Sequence, residues 1–141
     1  CLLSDMEAFP DPFLSQACFR LQEQEIPVSL SILPDLKQIE AVKDMGVEII
    51  DINTSAYAQA FNTPAQNFEL AKIQKAVKFA HAIGLQVNVG QGLHYHNILP
   101  IAQIPEIHTI TIGHAIIAKA LFCGLESAIR EMKALMQQAR I

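Results

Sequence analysis

Between Ile107 and Arg140 the chain reads IHTITIGHAIIAKALFCGLESAIREMKALMQQAR, and this stretch constrains the fold more than any other. The alternation in Thr109-Ile110-Thr111-Ile112 predicts a strand, and a helical pattern starts at Ala115-Ile116-Ile117-Ala118 with only Gly113-His114 between them. Gly113 is expected to let the backbone turn without a Cβ clash. A helix that starts at the carboxyl end of a strand points its unpaired N–H groups back at the turn. Such a turn is an anion site, most often for phosphate. The segment therefore predicts an α/β scaffold that holds a phosphorylated small molecule.

The rest of the chain repeats the same strand-then-helix order. Phe13–Glu25 has helical spacing through Phe13, Ala17 and Leu21, and Ile26–Leu33 is a β-rich run. Asp35, with Gln38 three residues on, predicts a capping box for a helix that ends before Gly46. Val47–Asn53 is the next strand. Thr63-Pro64-Ala65-Gln66 predicts a second capping box, with Pro64 at the first helical position. This longest helix carries Leu70, Ile73, Val77, Ala80 and Ile83 on one face and ends at Gly84. Leu85–Val89 is a third strand, followed by Gly90-Gln91-Gly92, a short helix around Ile98–Gln103 and the strand before Gly113. The last helix sets Leu125, Ala128, Ile129, Met132, Leu135, Met136 and Ala139 opposite Glu126, Arg130, Lys133 and Gln137.

Four β runs alternating with helices, without a hairpin signal, predict parallel βα units with buried, mostly apolar strands. A doubly wound sheet and part of a (β/α)8 barrel both satisfy this pattern. A whole barrel needs about 250 residues, so 141 residues correspond to roughly half of one. No linker divides the chain, and residues 1–141 read as a single domain.

Composition narrows the function. A formal charge of −4 without a Lys/Arg cluster argues against a nucleic-acid partner. No apolar run reaches the roughly 18 residues of a membrane span, so no membrane partner is expected. The three cysteines, Cys1, Cys18 and Cys123, form no CxxC or disulfide framework, which fits a reducing, cytoplasmic compartment. Cys18 and Cys123 are expected to be buried as small hydrophobes. The start at Cys1, without a charged leader, reads as a fragment.

In either architecture ligands meet the carboxyl ends of the strands. Those ends carry Asp51, Asn53, Thr54 and Ser55, then Asn88, Gly90, Gln91 and Gly92, then Gly113 and His114. Gly90-Gln91-Gly92 is too short for a dinucleotide fingerprint, and no P-loop lysine follows it. His94-Tyr95-His96 on a strand would set two imidazoles on one face as a metal pair, with Asp51 as the only obvious third ligand. His96 is expected instead to cap or hydrogen-bond the short helix after Asn97. His81 and His108 read as structural, and no metal or organic cofactor is expected.

At these positions the chain resembles the carboxyl-terminal part of the pyridoxine 5'-phosphate synthase family. The likeness rests on Gly92-Leu93, Tyr95-His96-Asn97, Ile104-Pro105-Glu106, Ile112-Gly113-His114-Ala115-Ile116 and Glu131-Met132-Lys133, and extends back through Val47–Ala58 to about Ala17. It implies a (β/α)8 barrel, this chain supplying about its last four units, and self-association into oligomers. It also implies the joining of 1-deoxy-D-xylulose 5-phosphate to 3-amino-2-oxopropyl phosphate, giving pyridoxine 5'-phosphate, phosphate and water. Phosphate contacts would fall on Gly92, Gly113 and His114. The acid–base chemistry of that reaction suits His and Glu side chains.

The chain departs from the family at two imidazoles. The catalytic histidine between the two strand-end glycines is Gln91 here, and a glutamine cannot exchange a proton near neutral pH. The histidine expected before Thr54 is Asn53. His94, which the family does not usually carry, is close enough in sequence to substitute for the lost histidine. The family's other catalytic histidine and glutamate, and most of its substrate-binding arginines, belong to an amino-terminal region that this chain does not contain, and Cys1–Pro12 does not match the threonine- and glycine-rich segment that the family carries after its fourth strand. Three readings follow: the enzyme itself as a partial chain, a phosphate-binding pseudoenzyme, and a half-barrel that must pair with its missing half to cover open sheet edges.

Overall fold

Residues 11–140 are described by a computed structural model, so Cys1 and most of Cys1–Pro12 lie outside the described residues. Strands β1 (Ser29–Ile32), β2 (Ile49–Asn53), β3 (Gln86–Gly90) and β4 (Ile107–Thr111) form one parallel sheet in the order β1-β2-β3-β4. The described helices are α1 (Pro12–Glu23), α2 (Leu36–Asp44), α3 (Ser55–Gln59), α4 (Ala65–Ala82), α5 (Ile98–Ala102), α6 (His114–Cys123) and α7 (Leu125–Ala139). The sequence pattern misses α3 and runs α6 into α7. Gly124, at φ +82° and ψ 153°, breaks the last helix in two.

The sheet is two-faced, where the sequence pattern predicts strands buried on both sides. Register aligns Leu30, Ile50 and Val87 in one row and Ile32, Ile52 and Val89 in the next, and all six are buried in the core. The opposite face aligns Ser31, Asp51, Asn88 and Thr109, then Asn53, Gly90 and Thr111. A register shift between Val87 and Asn88 leaves His108 as the extra residue of β4. The bulge lets Ile107 pair with Val87 and Ile110 with Val89, both toward the core, while Thr109 and Thr111 stay on the polar face.

Helix details follow local chemistry. Asp35 caps α2 by accepting from Lys37 N at 2.7 Å, but Gln38 reaches past it to Leu33 N at 3.1 Å, so the box closes two residues early. The second capping box does not form. Thr63 Oγ1 donates back to Ala60 O at 2.6 Å, Gln66 accepts from Asn62 N, and α4 starts at Ala65 with Pro64 as its uncapped entry. The predicted α4 face is present, with Ile73, Ala76, Val77 and Ala80 buried. In α1 the inward residues are Leu14 and Cys18 instead of Phe13, Ala17 and Leu21, and Phe13 is 81% exposed. The last helix buries Ala128 and Met132 but leaves Leu125 and Ile129 exposed. Cys18 is buried, whereas Cys123 ends α6, which buries none of its residues, and is exposed.

Candidate functional site

The loop after β3 is held from below by a buried threonine. Thr54 is fully buried at the end of β2, and its N–H donates to Gly90 O at 2.8 Å. Its Oγ1 lies 2.7 Å from both Gly90 O and Gln91 O, so one hydroxyl proton serves two carbonyls. A Cβ on Gly90 would sit 3.2 Å from Thr111 Cβ, so the backbone there fits closely against β4. Gln91 then takes φ +86°, a left-handed conformation that costs a non-glycine residue about 1–2 kcal/mol. Gly92 follows at φ +75°, where a Cβ would lie 2.6 Å from Ala58 Cβ. Only glycine fits at position 92.

Asn97 closes the other end of this loop. It is 1% exposed; its Oδ1 accepts from His94 N at 2.7 Å and its Nδ2 donates to Gly92 O at 3.1 Å. Its own carbonyl accepts from buried Tyr57 OH at 2.8 Å. His94, Tyr95 and His96 therefore lie in a tight turn, not on a strand. The His94 ring accepts from His96 N at 3.2 Å through Nδ1 and meets Phe61 edge-on at 5.1 Å. Partial burial, and secondarily the neighbouring His96, holds the His94 imidazole below its ordinary pKa, so it is neutral near pH 7. The backbone bond runs to the ring of His94, so the expected cap by the His96 side chain is not the one present. Among the described residues no group of three or more His, Cys, Asp or Glu side chains is arranged to hold a metal ion.

Across from this loop, Gly113 enters α6 with φ −121°, and its carbonyl accepts from Ile116 N and Ile117 N. The N–H groups of His114 and Ala115 have no partner among the described residues, as expected for a helix start. The Cβ clash that glycine is expected to avoid at this turn is absent: φ is outside the left-handed region, and a Cβ there would meet nothing within 4 Å. Packing therefore does not demand glycine at 113, whose backbone lies at ψ −73°, and the residue borders the same cleft as Gln91 and Gly92. Tyr95 ties the α6–α7 pair to the β3 loop, donating to Ala128 O at 2.8 Å while Lys119 Nζ lies 4.4 Å over its ring. Lys119 also pairs with Glu131.

Gln91, Gly92, His94, Thr111, Gly113 and His114 line one cleft of about 330 Å³, with no carboxylate on its walls. The sequence-predicted site residues thus meet at one place. Larger clefts, of about 730 and 540 Å³, lie at the opposite ends of the strands; His81 and exposed His108 belong to the first of them. On the open face of the sheet, burial raises the pKa of Asp51, and the neighbouring Asn88 Oδ1 is buried without a partner among the described residues. The clamps by Thr54 and Asn97 are not apparent from sequence, where each is one polar residue among several. A small polar residue directly after a strand, and an asparagine ahead of an apolar helix, were the available signals.

These features define an α/β protein with sequentially ordered parallel strands and a carboxylate-free cleft at their carboxyl ends. Residues 8–138 match the family described as pyridoxal phosphate biosynthesis protein PdxJ, and the chain belongs to that family. It is 49% identical over 128 residues to a pyridoxine 5'-phosphate synthase of Legionella pneumophila, covering 91% of this chain and 52% of the relative. A pyridoxine 5'-phosphate synthase of Idiomarina loihiensis is 45% identical over 127 residues, 90% of this chain and 52% of that one. The chain thus spans about half the length of these curated relatives. Among solved structures, one chain of the Amycolatopsis orientalis BexX/CysO complex matches with a TM-score of 0.62 at 16% identity, over 89% of this chain and 47% of that one, a likeness of fold alone.

Proposed function

We propose that the cleft holds the phosphate of a small molecule and that the chain is the carboxyl-terminal, phosphate-gripping part of a pyridoxine 5'-phosphate synthase. The observation that carries this reading is Gly113, where a side chain would meet no neighbour, beside the free N–H groups that open α6. In the full enzyme the reaction would condense 1-deoxy-D-xylulose 5-phosphate with 3-amino-2-oxopropyl phosphate to pyridoxine 5'-phosphate, phosphate and water. The strand order and helices packed on one face support a (β/α)8 barrel, with residues 1–141 one partial domain of it. The polar face that carries Asp51 and Asn88 would then line the barrel interior.

One observation favours a second reading, a phosphate-binding subunit with impaired catalysis. Gln91 sits where the resemblance places a catalytic histidine, and its amide cannot relay a proton. The outer strands β1 and β4 support pairing with an amino-terminal half, or with a second copy. Among the described residues no helix is long and apolar enough to cross a membrane, and exposed Cys123 is compatible with a reducing cytoplasm. Turnover of the two phosphorylated substrates is to be measured with the chain alone and mixed with the amino-terminal half of a full-length relative. Turnover only in the mixture supports the enzyme. Phosphate binding weakened in Gly113→Ala, without turnover in either case, supports the impaired subunit. No phosphate binding at all refutes both.

A further inference from the structure

Among the polar side chains on the cleft wall, Gln91, His94, Thr111 and His114, the His94 ring is the one held by a hydrogen bond among the described residues. Its backbone is fixed as well: N–H to Asn97 Oδ1, and carbonyl accepting from Asn97 N and Ile98 N. Phe61 packs against the ring with an interplanar angle of 85°. Because Nδ1 accepts the His96 N–H, the ring proton of neutral His94 must reside on Nε2. Nε2 has no hydrogen-bond partner among the described residues.

We propose that His94 is a ligand-binding residue, donating its Nε2–H as a neutral imidazole to a phosphate oxygen of the molecule held at the Gly113-His114 turn. The role differs from replacement of the proton-transfer histidine lost at Gln91. A replacement base needs a free ring nitrogen, and the acceptor nitrogen of His94 is already engaged by the backbone of His96. A neutral donor can complement the helix N–H groups around an anion without having to change its protonation state. The inference rests on the phosphate reading of the cleft, so its test separates the two.

The experiment is 15N and 1H NMR of the 141-residue chain labelled at histidine and backbone nitrogen, titrated with inorganic phosphate and with glycerol 3-phosphate. Before ligand is added, His94 Nδ1 should resonate as an unprotonated nitrogen and Nε2 as a protonated one. At saturation the Nε2–H signal should move downfield with the tautomer unchanged, together with the amides of Gly113 and His114. His94→Phe should weaken phosphate binding about tenfold or more, the worth of one hydrogen bond to a charged acceptor. His94→Gln, which keeps a donor, should recover part of that loss. If the Gly113 and His114 amides respond while His94 Nε2–H does not, the role of His94 is overturned and the phosphate site stands. If none responds, both are overturned. A proton found on Nδ1 in the free chain also overturns the proposal, whatever the variants do.

Discussion

Gly92 and Gly113 both border the cleft, and alanine at each should have opposite consequences. At Gly92 the methyl would be built at φ +75° and 2.6 Å from Ala58 Cβ. The left-handed backbone costs about 1–2 kcal/mol for alanine, and the forced contact adds about 1–3 kcal/mol, so Gly92→Ala should lose roughly 2–5 kcal/mol of stability. At Gly113 the methyl meets nothing within 4 Å and φ is −121°. With no steric contact to offset the lost freedom of the unfolded chain, Gly113→Ala should stay within about 1 kcal/mol of the parent. A methyl at that position should nevertheless obstruct a phosphate approaching the His114 and Ala115 N–H groups. Loss of one such bond, about 1.5–3 kcal/mol, corresponds to a tenfold or greater loss of affinity. Urea unfolding at neutral pH gives the stabilities, and calorimetric titration with glycerol 3-phosphate gives the affinities. Undiminished binding by a stable Gly113→Ala variant would refute the claim that the glycine is bare for a ligand. Full stability of Gly92→Ala would refute the account of the β3 loop.

Thr54→Val removes the hydroxyl shared by Gly90 O and Gln91 O and should cost about 1–3 kcal/mol in urea unfolding, with Thr54→Ser recovering most of it. An unchanged midpoint for valine would mean that the threonine is not clamping the loop. Gln91→Gly relieves the left-handed side chain at φ +86° and should raise stability by about 1 kcal/mol. A fall in stability would show that the glutamine side chain makes a contact worth more than its strain. Asp51 has its folded pKa raised by burial above the ordinary 3.8, so its ionisation opposes folding. Its contribution is most favourable below the unfolded value and is lost as pH rises through the folded one. Asp51→Asn should therefore stabilise the chain at neutral pH, and the gain should vanish as pH falls below about 4. A gain independent of pH would remove the carboxylate as its source.

Most of the scaffold was legible because it depends on short-range patterns. Alternating Ile and Val located the strands, and Asp35, Gly46 and Gly84 marked helix ends where the structure has them. Much of what failed depended on neighbours distant in sequence. Which side of α1 faces the core is decided by what it packs on, and Leu14 and Cys18 won over the more apolar-looking Phe13 and Leu21. The Thr63 box fails locally: the Thr63 hydroxyl turns back to Ala60 O, and Gln66 closes on Asn62 N in place of Thr63 N. The polar face of the sheet was hidden because Ser31, Asp51 and Asn88 belong to three separate strands, and only register sets them in one row. The site itself was more legible than its supports. Glycines and histidines at strand ends are conspicuous, whereas the bonds by which Thr54 and Asn97 hold them cross 36 and 5 residues of sequence.

The cleft separates two tasks that the proposed reaction requires together. Holding an anion needs only fixed donors, and the free N–H groups of α6, the gap at Gly113 and the immobilised His94 ring supply donors that need no proton exchange. Moving protons needs a group that changes its charge near neutral pH, and on this wall the strained residue with φ +86° is an amide. Strain of this kind persists only where surrounding structure enforces it, and here Thr54 and the Gly92–Asn97 contact enforce it on Gln91. The backbone device that presents a residue at position 91 is therefore intact although the residue presented cannot titrate. Gln91→His is the direct test of that separation. In the complex with an amino-terminal half it should raise turnover without altering phosphate affinity. A change in affinity with no change in turnover would show that position 91 belongs to the anion grip, and that the two tasks are not separable in this cleft.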